Sequence, residues 1–396
     1  MEPVELSICA NRAQQPTDLL HLLERFKPGC HVSVIPWEKE WAELSQAAFY
    51  RHGPDVSQVG SSMVGDIVSM DALRQFSDRE IASFGGAAAF SQPAWESAHR
   101  GGDRQKTWAV PWLADPRLIY YWRDLLEQAG VEEASAFQTF DDMETTFARL
   151  RASGVATPWV LPTSHHLAAV QTSASWIWAA GGDFVSPNGR RTLFNSPEAH
   201  TGLKIYFGLY RYMPPAAQPL EAATALKVFS DRQAAVTMGS SRIGETILQD
   251  APPEIRSRLG FALPPGPPLV GGSSLIIWKY SLQGNTAVEL VRFLTSQEFQ
   301  TEYGRRLGYL PTRLDALAAP PFSTEPHFQG LARALSNGRP FTPRSLGGLL
   351  EDKIGAALVS IWADVITGAD PDLEFILTRW LEPLARRLDL TLGSVG

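Results

Sequence analysis

At 396 residues, with 44% hydrophobic and 19% charged residues, the chain can bury two or three domain cores and is too apolar to be disordered. Its formal net charge of -7 is spread without long like-charge runs, which excludes a basic groove for nucleic-acid phosphates. The longest apolar stretches, such as SLIIW and AALVSIW, fall far short of the roughly 20 residues that span a bilayer, so no transmembrane helix is expected.

The amino-terminal portion alternates strand and helix. Residue patterning predicts a strand over 4–9, a helix over 17–26 with Thr17 as N-cap, a strand over 31–37 and a helix over 40–51. A short strand over 54–60 and a helix over 62–73 follow. Such alternation makes right-handed βαβ units on a parallel sheet, where ligands gather beyond the carboxyl ends of the strands. The loops ANRAQQ, PWEKEW and QVGSSM occupy those positions and supply Asn11, Trp37, Gln58, Ser61 and Ser62 as candidate ligand contacts. Gly60 permits close approach and the serines open a helix whose amides can donate, although plain N-capping by Ser61 and Ser62 reads equally well.

Beyond residue 131 helices dominate, over 140–154, 168–182, 196–213 and 225–233. A strand over 234–239 leads to the Pro/Gly-rich FALPPGPPLVGG, then a strand over 273–278, a helix over 286–308, a loop over 309–313 and a helical tail. Cys9 ends one strand and Cys30 begins its parallel neighbour, beyond the ~7 Å Cα limit for a bridge, so both read as free, buried thiols. The start, MEPVELSICANR, lacks a basic segment followed by an apolar one. Two expectations follow: a mature extracytoplasmic chain (periplasmic or cell-surface) behind an added Met, or a cytoplasmic protein if Met1 is native.

Five segments stand in a fixed order: GPDVSQVGSSMVGDI; AVPWLADPRLIYYWRDLLEQAGV; WIWAAGGDFVSPNGRRTLFNSPEA; FSDRQAAVTMGSSR; and GGSSLIIWKYS followed by RFLTSQEFQTEYGRRLGYLPTR. In that order and spacing the chain resembles, over essentially its whole length, the solute-binding proteins of ABC importers of the carbohydrate, maltose-binding-protein-like type. The resemblance implies an α/β, two-lobed periplasmic-binding-protein-like fold (type II) with a ligand cleft between lobes joined by hinge crossings. It implies an N-terminal lobe of residues 1–111 with 262–312 and a C-terminal lobe of 112–261 with 313–396. AVPW then resembles the first crossing, LADPR a cleft-lining loop, and LIYYWRDLLEQAGV the first strand and helix of the second lobe.

Sugar sites combine hydrogen-bonding side chains with stacked aromatics. Among the 12 tryptophans, Trp278, Trp362 and Trp380 fit core patterns, whereas Trp112 suits either the cleft or the core. The resemblance implies ligand contact for Asp115 and for Trp176 or Trp178, and leaves Arg117 structural. His165 and His166 are adjacent and point apart without further ligands, so no metal is expected, and His165 is assigned to the cleft. Gly271, Gly272 and Ser273 are candidate sources of backbone amides and a hydroxyl for the ligand, with a plain strand start as the alternative.

Two departures from the family pattern bear on the ligand. Ser240, Ser241 and Arg242 replace a turn that carries a sugar-stacking Trp in relatives, and an arginine fork suits carboxylate or phosphate. Gly347 and Gly348 leave open a wall where relatives place an aromatic, and Arg344 supplies a further cation. No G-x-S-x-G elbow, P-loop, G-x-G-x-x-G or H-E-x-x-H pattern occurs, so no enzyme and no cofactor are expected. The expected role is capture of a sugar, oligosaccharide or anionic sugar derivative for an ABC permease, by a monomer. A ligand sensor read by a regulatory partner is the alternative, and an interaction scaffold a third.

Overall fold

A computed structural model of the chain describes residues 3–10, 16–99, 106–214, 218–341, 346–368 and 370–394. Its strands, in chain order, are β1 (Val4–Ala10), β2 (Cys30–Pro36), β3 (Val56–Gly60), β4 (Ala109–Pro116) and β5 (Leu118–Trp122). They continue as β6 (Thr157–Val160), β7 (Ala234–Gly239), β8 (Leu259–Ala262), β9 (Val270–Ile277) and β10 (Leu310–Pro311). The chain divides into two compact units, residues 1–115 with 270–348 and residues 116–269 with 349–396.

Unit 1 is built on a six-stranded sheet in the order β10-β4-β9-β3-β1-β2. β1 pairs in parallel with β2, from Val4 opposite Cys30 to Ala10 opposite Pro36, and in parallel with β3. The expected parallel sheet thus holds for the first three strands. The sheet as a whole is mixed, because β9 returns from the far end of the chain antiparallel to β3, and β10 lies antiparallel to β4. Both cysteines are free, as their places in the register require, but Cys30 is only half-buried because it lies on the edge strand.

Helices α1 (Thr17–Leu23), α2 (Glu40–Tyr50) and α3 (Val64–Ser69) follow the first three strands. Thr17 is the first helical residue rather than the cap, which is Pro16. α1 turns Leu19, Leu22 and Leu23 onto Val4, Leu6 and Ile8 to make one core, and α2 sets Leu44 and Ala48 against Val59, Ile67 and Trp278 in another. Trp112 lies in the first core: it is fully buried, stacks on Tyr303 at 5.3 Å, and donates its indole N–H to Leu294 O at 3.1 Å.

The predicted helix over 286–308 is two helices, Gly284–Leu294 and Gln297–Leu307. Ser296 interrupts it by accepting from Phe299 N at 3.2 Å, a cap that outcompetes continuation. The segment 313–348, assigned from the sequence to the second lobe, packs in unit 1. Buried Gln300 explains this: its amide donates to Trp112 O at 2.9 Å and accepts from Thr312 N at 2.9 Å and Arg313 N at 3.0 Å. AVPWLADP is correspondingly one sheet strand, β4, so LADP is no loop and the passage from unit 1 to unit 2 falls at Asp115–Pro116 and not at AVPW; Leu113 and Ala114 lie opposite Pro311 and Leu310.

Unit 2 carries a four-stranded sheet in the order β6-β7-β5-β8. β6 runs parallel to β7, and β5 runs antiparallel to both β7 and β8. The helix Phe140–Ala152 opens with a capping box between Thr139 and Asp142. The helix His166–Ala179 is buried along most of its length. Trp176 on it is fully buried between Phe140 and Tyr206, with ring centroids at 6.0 and 5.3 Å. Trp178 is buried too and donates to Asp183 at 3.2 Å. Trp278 and Trp362 are core residues as expected, whereas Trp380 is half-buried and donates to Asp364 at 2.7 Å.

Gly272 is where β9 comes hard against β4. Its φ is +137°, and a Cβ there would stand 2.1 Å from Leu113 O. Gly272→Ala should therefore lower stability by about 2 kcal/mol or more, since neither backbone can yield cheaply. Urea denaturation checks this, and an unchanged midpoint would show that β9 has room to shift.

Candidate functional site

Because β1, β2 and β3 are parallel, their carboxyl ends emerge at one edge of the unit 1 sheet. Residues 11–15 after β1, and Asn11 with them, lie outside the described residues. β2 leads through a short 3-10 turn, Trp37–Lys39, into α2, and β3 leads through Ser61–Met63 into α3. Trp37, Ser61 and Ser62 are half-buried on these turns. The cap position of the second turn is Gly60 and that of α3 is Met63, so neither serine is a helix cap.

Gln58 and Ser273 come together, but inside the sheet. The Gln58 amide accepts from Cys9 N at 3.0 Å and donates to Ser273 Oγ at 2.9 Å, joining β1, β3 and β9 while all three groups are buried. Their hydrogen-bonding capacity is directed at the sheet.

Two buried acids that sequence reasoning passed over sit under the same turns. Glu40, 3% exposed, accepts from Gly60 N at 2.7 Å. The Cys9 thiol donates to Gln58 O at 3.9 Å, and burial first, then the nearby Glu40 carboxylate, pushes the thiol far above its ordinary range. Asp66, 4% exposed, accepts from Gly347 N at 2.9 Å and Gly348 N at 2.7 Å, at the start of the helix Gly347–Thr367. An anion at a helix N-terminus is favourable. Even so, burial pushes Asp66 up to about 6, against the opposing pull of the backbone donors.

Gly347 and Gly348 consequently do not leave a wall open. They let the helix end seat on the Ser61–Met63 turn: a Cβ on Gly347 would stand 2.7 Å from Ser62 O, and one on Gly348 3.2 Å from Asp66 Oδ2. The signals in the sequence were an acid inside the apolar run VGDIV and an acid directly after the PWEK turn.

In unit 2 the register sets the carboxyl ends of β6 and β7 on the edge where β5 begins, Leu118 lying opposite Gly239. Ser240, Ser241 and Arg242 open the helix Ser241–Asp250 there, with Tyr120 Oη donating to Ser240 O at 2.9 Å. Ser241 is buried and Arg242 half-buried. His165, on the same edge, is exposed and caps its helix by accepting from Ala168 N at 3.3 Å, while His166 faces Asp352 at 3.4 Å. Arg117 is buried and donates to Gln171, and Asp115 is half-buried in β4. Arg344 lies outside the described residues.

Trp112 and Trp176 are not among the edge residues of either sheet, each being sealed within its own unit by the contacts given above. Among the described residues no group of three or more His, Cys, Asp or Glu is arranged to hold a metal ion, and no helix is long and apolar enough to cross a membrane.

A sequence model of the family described as bacterial extracellular solute-binding protein matches residues 27–330. A "Probable ABC transporter-binding protein" of Deinococcus radiodurans is 26% identical over 232 residues, which cover 54% of this chain and 54% of that one. The match thus spans about half the length of that relative. The sugar-binding protein MalE of Xanthomonas citri superposes with a TM-score of 0.82 at 20% identity, covering 99% of this chain and 98% of that one. An ABC transporter solute-binding protein of Thermotoga lettingae bound with α-D-tagatose gives 0.82 at 18% identity, covering 99% and 100%. The fold is therefore the α/β fold of the periplasmic binding proteins, built on two sheets.

Asp66 makes stability depend on pH. Its folded pKa of about 6 lies above the ordinary 3.8, so the folded state takes up a proton first as pH falls. Stability from this group is present below pH 4 and lost as pH rises through about 6, by about 3 kcal/mol at most. Asp66→Asn, which resembles the protonated acid, should flatten that part of the profile. Urea midpoints of both proteins at pH 4.5 and pH 7 test it, and parallel profiles would refute the assignment.

Proposed function

The chain belongs to the bacterial extracellular solute-binding protein family, and on that premise we propose that it is the substrate-binding component of an ABC importer. It captures a carbohydrate or a related polar or anionic sugar derivative outside the cytoplasm and hands it to a membrane permease. It binds without turnover. The observation that carries the reading is the likeness along nearly the whole chain to MalE and to the tagatose-bound protein, both of which bind sugars.

The chain's own residues support a polar ligand. On the unit 1 edge Trp37 offers an aromatic face, and Ser61 and Ser62 offer hydroxyls beside turn amides. Asp115 at the end of β4 offers a carboxylate to sugar hydroxyls. On the unit 2 edge Arg242 offers a guanidinium at a helix start, joined by His165. The arginine stands where relatives stack a tryptophan, and this favours sugar acids or sugar phosphates over neutral maltodextrins.

A thermal-shift screen against D-tagatose, maltose, maltotetraose, glucuronic acid and glucose 6-phosphate tests the proposal. One probe should stabilise the protein by about 2.7 kcal/mol at 100 times its Kd. Arg242→Ala should cost about tenfold in affinity for an anionic probe and little for a neutral one, as expected for a lost charge-assisted contact. A cooperative melt unmoved by every probe would argue against sugar capture.

A further inference from the structure

Glu40 lies where the carboxyl ends of three strands meet. It is the first residue of α2, directly after the Trp37–Lys39 turn that ends β2. Its carboxylate accepts from Gly60 N, at the end of β3, at 2.7 Å, and its charge reaches the Cys9 thiol, at the end of β1. A carboxylate this deeply buried is costly unless its oxygens are occupied. Here the donors belong to the chain segments that carry the edge residues.

We propose that Glu40 is the positioning residue of the ligand turns of unit 1, holding Gly60 and hence Ser61 and Ser62 in fixed register with Trp37 through the reach of its carboxyl oxygen. The proposal rests on the solute-binding reading above and adds to it the residue that pre-organises the turns. Pre-organised contacts bind more tightly because less motion is lost on binding.

Reach and charge can be separated. Glu40→Asp keeps the charge and withdraws the oxygens by one methylene, whereas Glu40→Gln keeps the reach and an acceptor for Gly60 N but removes the charge. The measurements are amide exchange of the ligand-free protein over residues 58–66, thermal melting, and calorimetric affinity for whichever of the five probes above the wild type binds.

Glu40→Asp should speed exchange at Gly60 and weaken binding by about tenfold each, the worth of one lost hydrogen bond. Glu40→Gln should stay near wild type in both, with melting of the two variants too similar to explain the contrast. A loss in both variants, or in neither, overturns the proposal. If the wild type binds no probe, the capture reading fails on its own, and the exchange contrast still decides whether Glu40 positions the turn. If Glu40→Asp does not fold, Glu40→Gln decides: retained exchange upholds the reach argument and accelerated exchange overturns it.

Discussion

Unit 1 depends on a strand that arrives late. β9 lies between β4 and β3 in the middle of the six-stranded sheet, yet more than 150 residues of unit 2 separate it from β4 in the chain. Until residues 270–277 return, β3 has no second neighbour and the core around Trp112 is open. Contacts of such separation bring a loop-closure cost that must be met before any burial repays it.

Buried polar chains fix where β9 lands. Near one end of the shared sheet the Trp278 indole donates to Ser57 Oγ at 2.7 Å, which in turn lies 2.7 Å from Ser7 Oγ. At the other end Ser273, Gln58 and the Cys9 backbone form a second chain. The first ties the residue directly after β9 to β3 and β1, and the second crosses β9, β3 and β1. A slip of one residue would turn every one of these side chains to the opposite face and leave their partners buried and unpaired. The register is thereby held by polar satisfaction as well as by apolar burial.

The same separation explains what could be read from the sequence. β1 to β3 with their helices, and β7, were legible because their signals are local: alternating apolar residues, small residues at turns and short connections. The free cysteines followed from register alone. Tryptophan roles were harder. Trp112, Trp122, Trp159, Trp176, Trp278 and Trp362 are fully buried, so half of the 12 serve packing, and an aromatic beside a polar segment looks alike in a core or at a ligand edge. The Gly347–Gly348 pair was misread because its partner, Asp66, stands 281 positions from Gly347. The segment 313–348 was misplaced for a like reason: the Gln300 amide that holds its start has no marker in sequence.

Glu40 and Asp66 share one design. Each is an acid that has left water for a site with backbone amide donors: Glu40 holds the turn that follows β3, and Asp66, on the helix after that turn, holds the start of the helix Gly347–Thr367. Backbone donors cannot be lost to a side-chain rotamer, so a buried carboxylate held by them fixes chain geometry in a way that a surface ion pair does not. At Asp66 the backbone donors offset only part of the cost, and burial still pushes its carboxyl up to about 6. Such a carboxylate is a poor source of stability and a good source of definition. That trade makes sense at the edge of a sheet where side chains must face a solute with their positions already set.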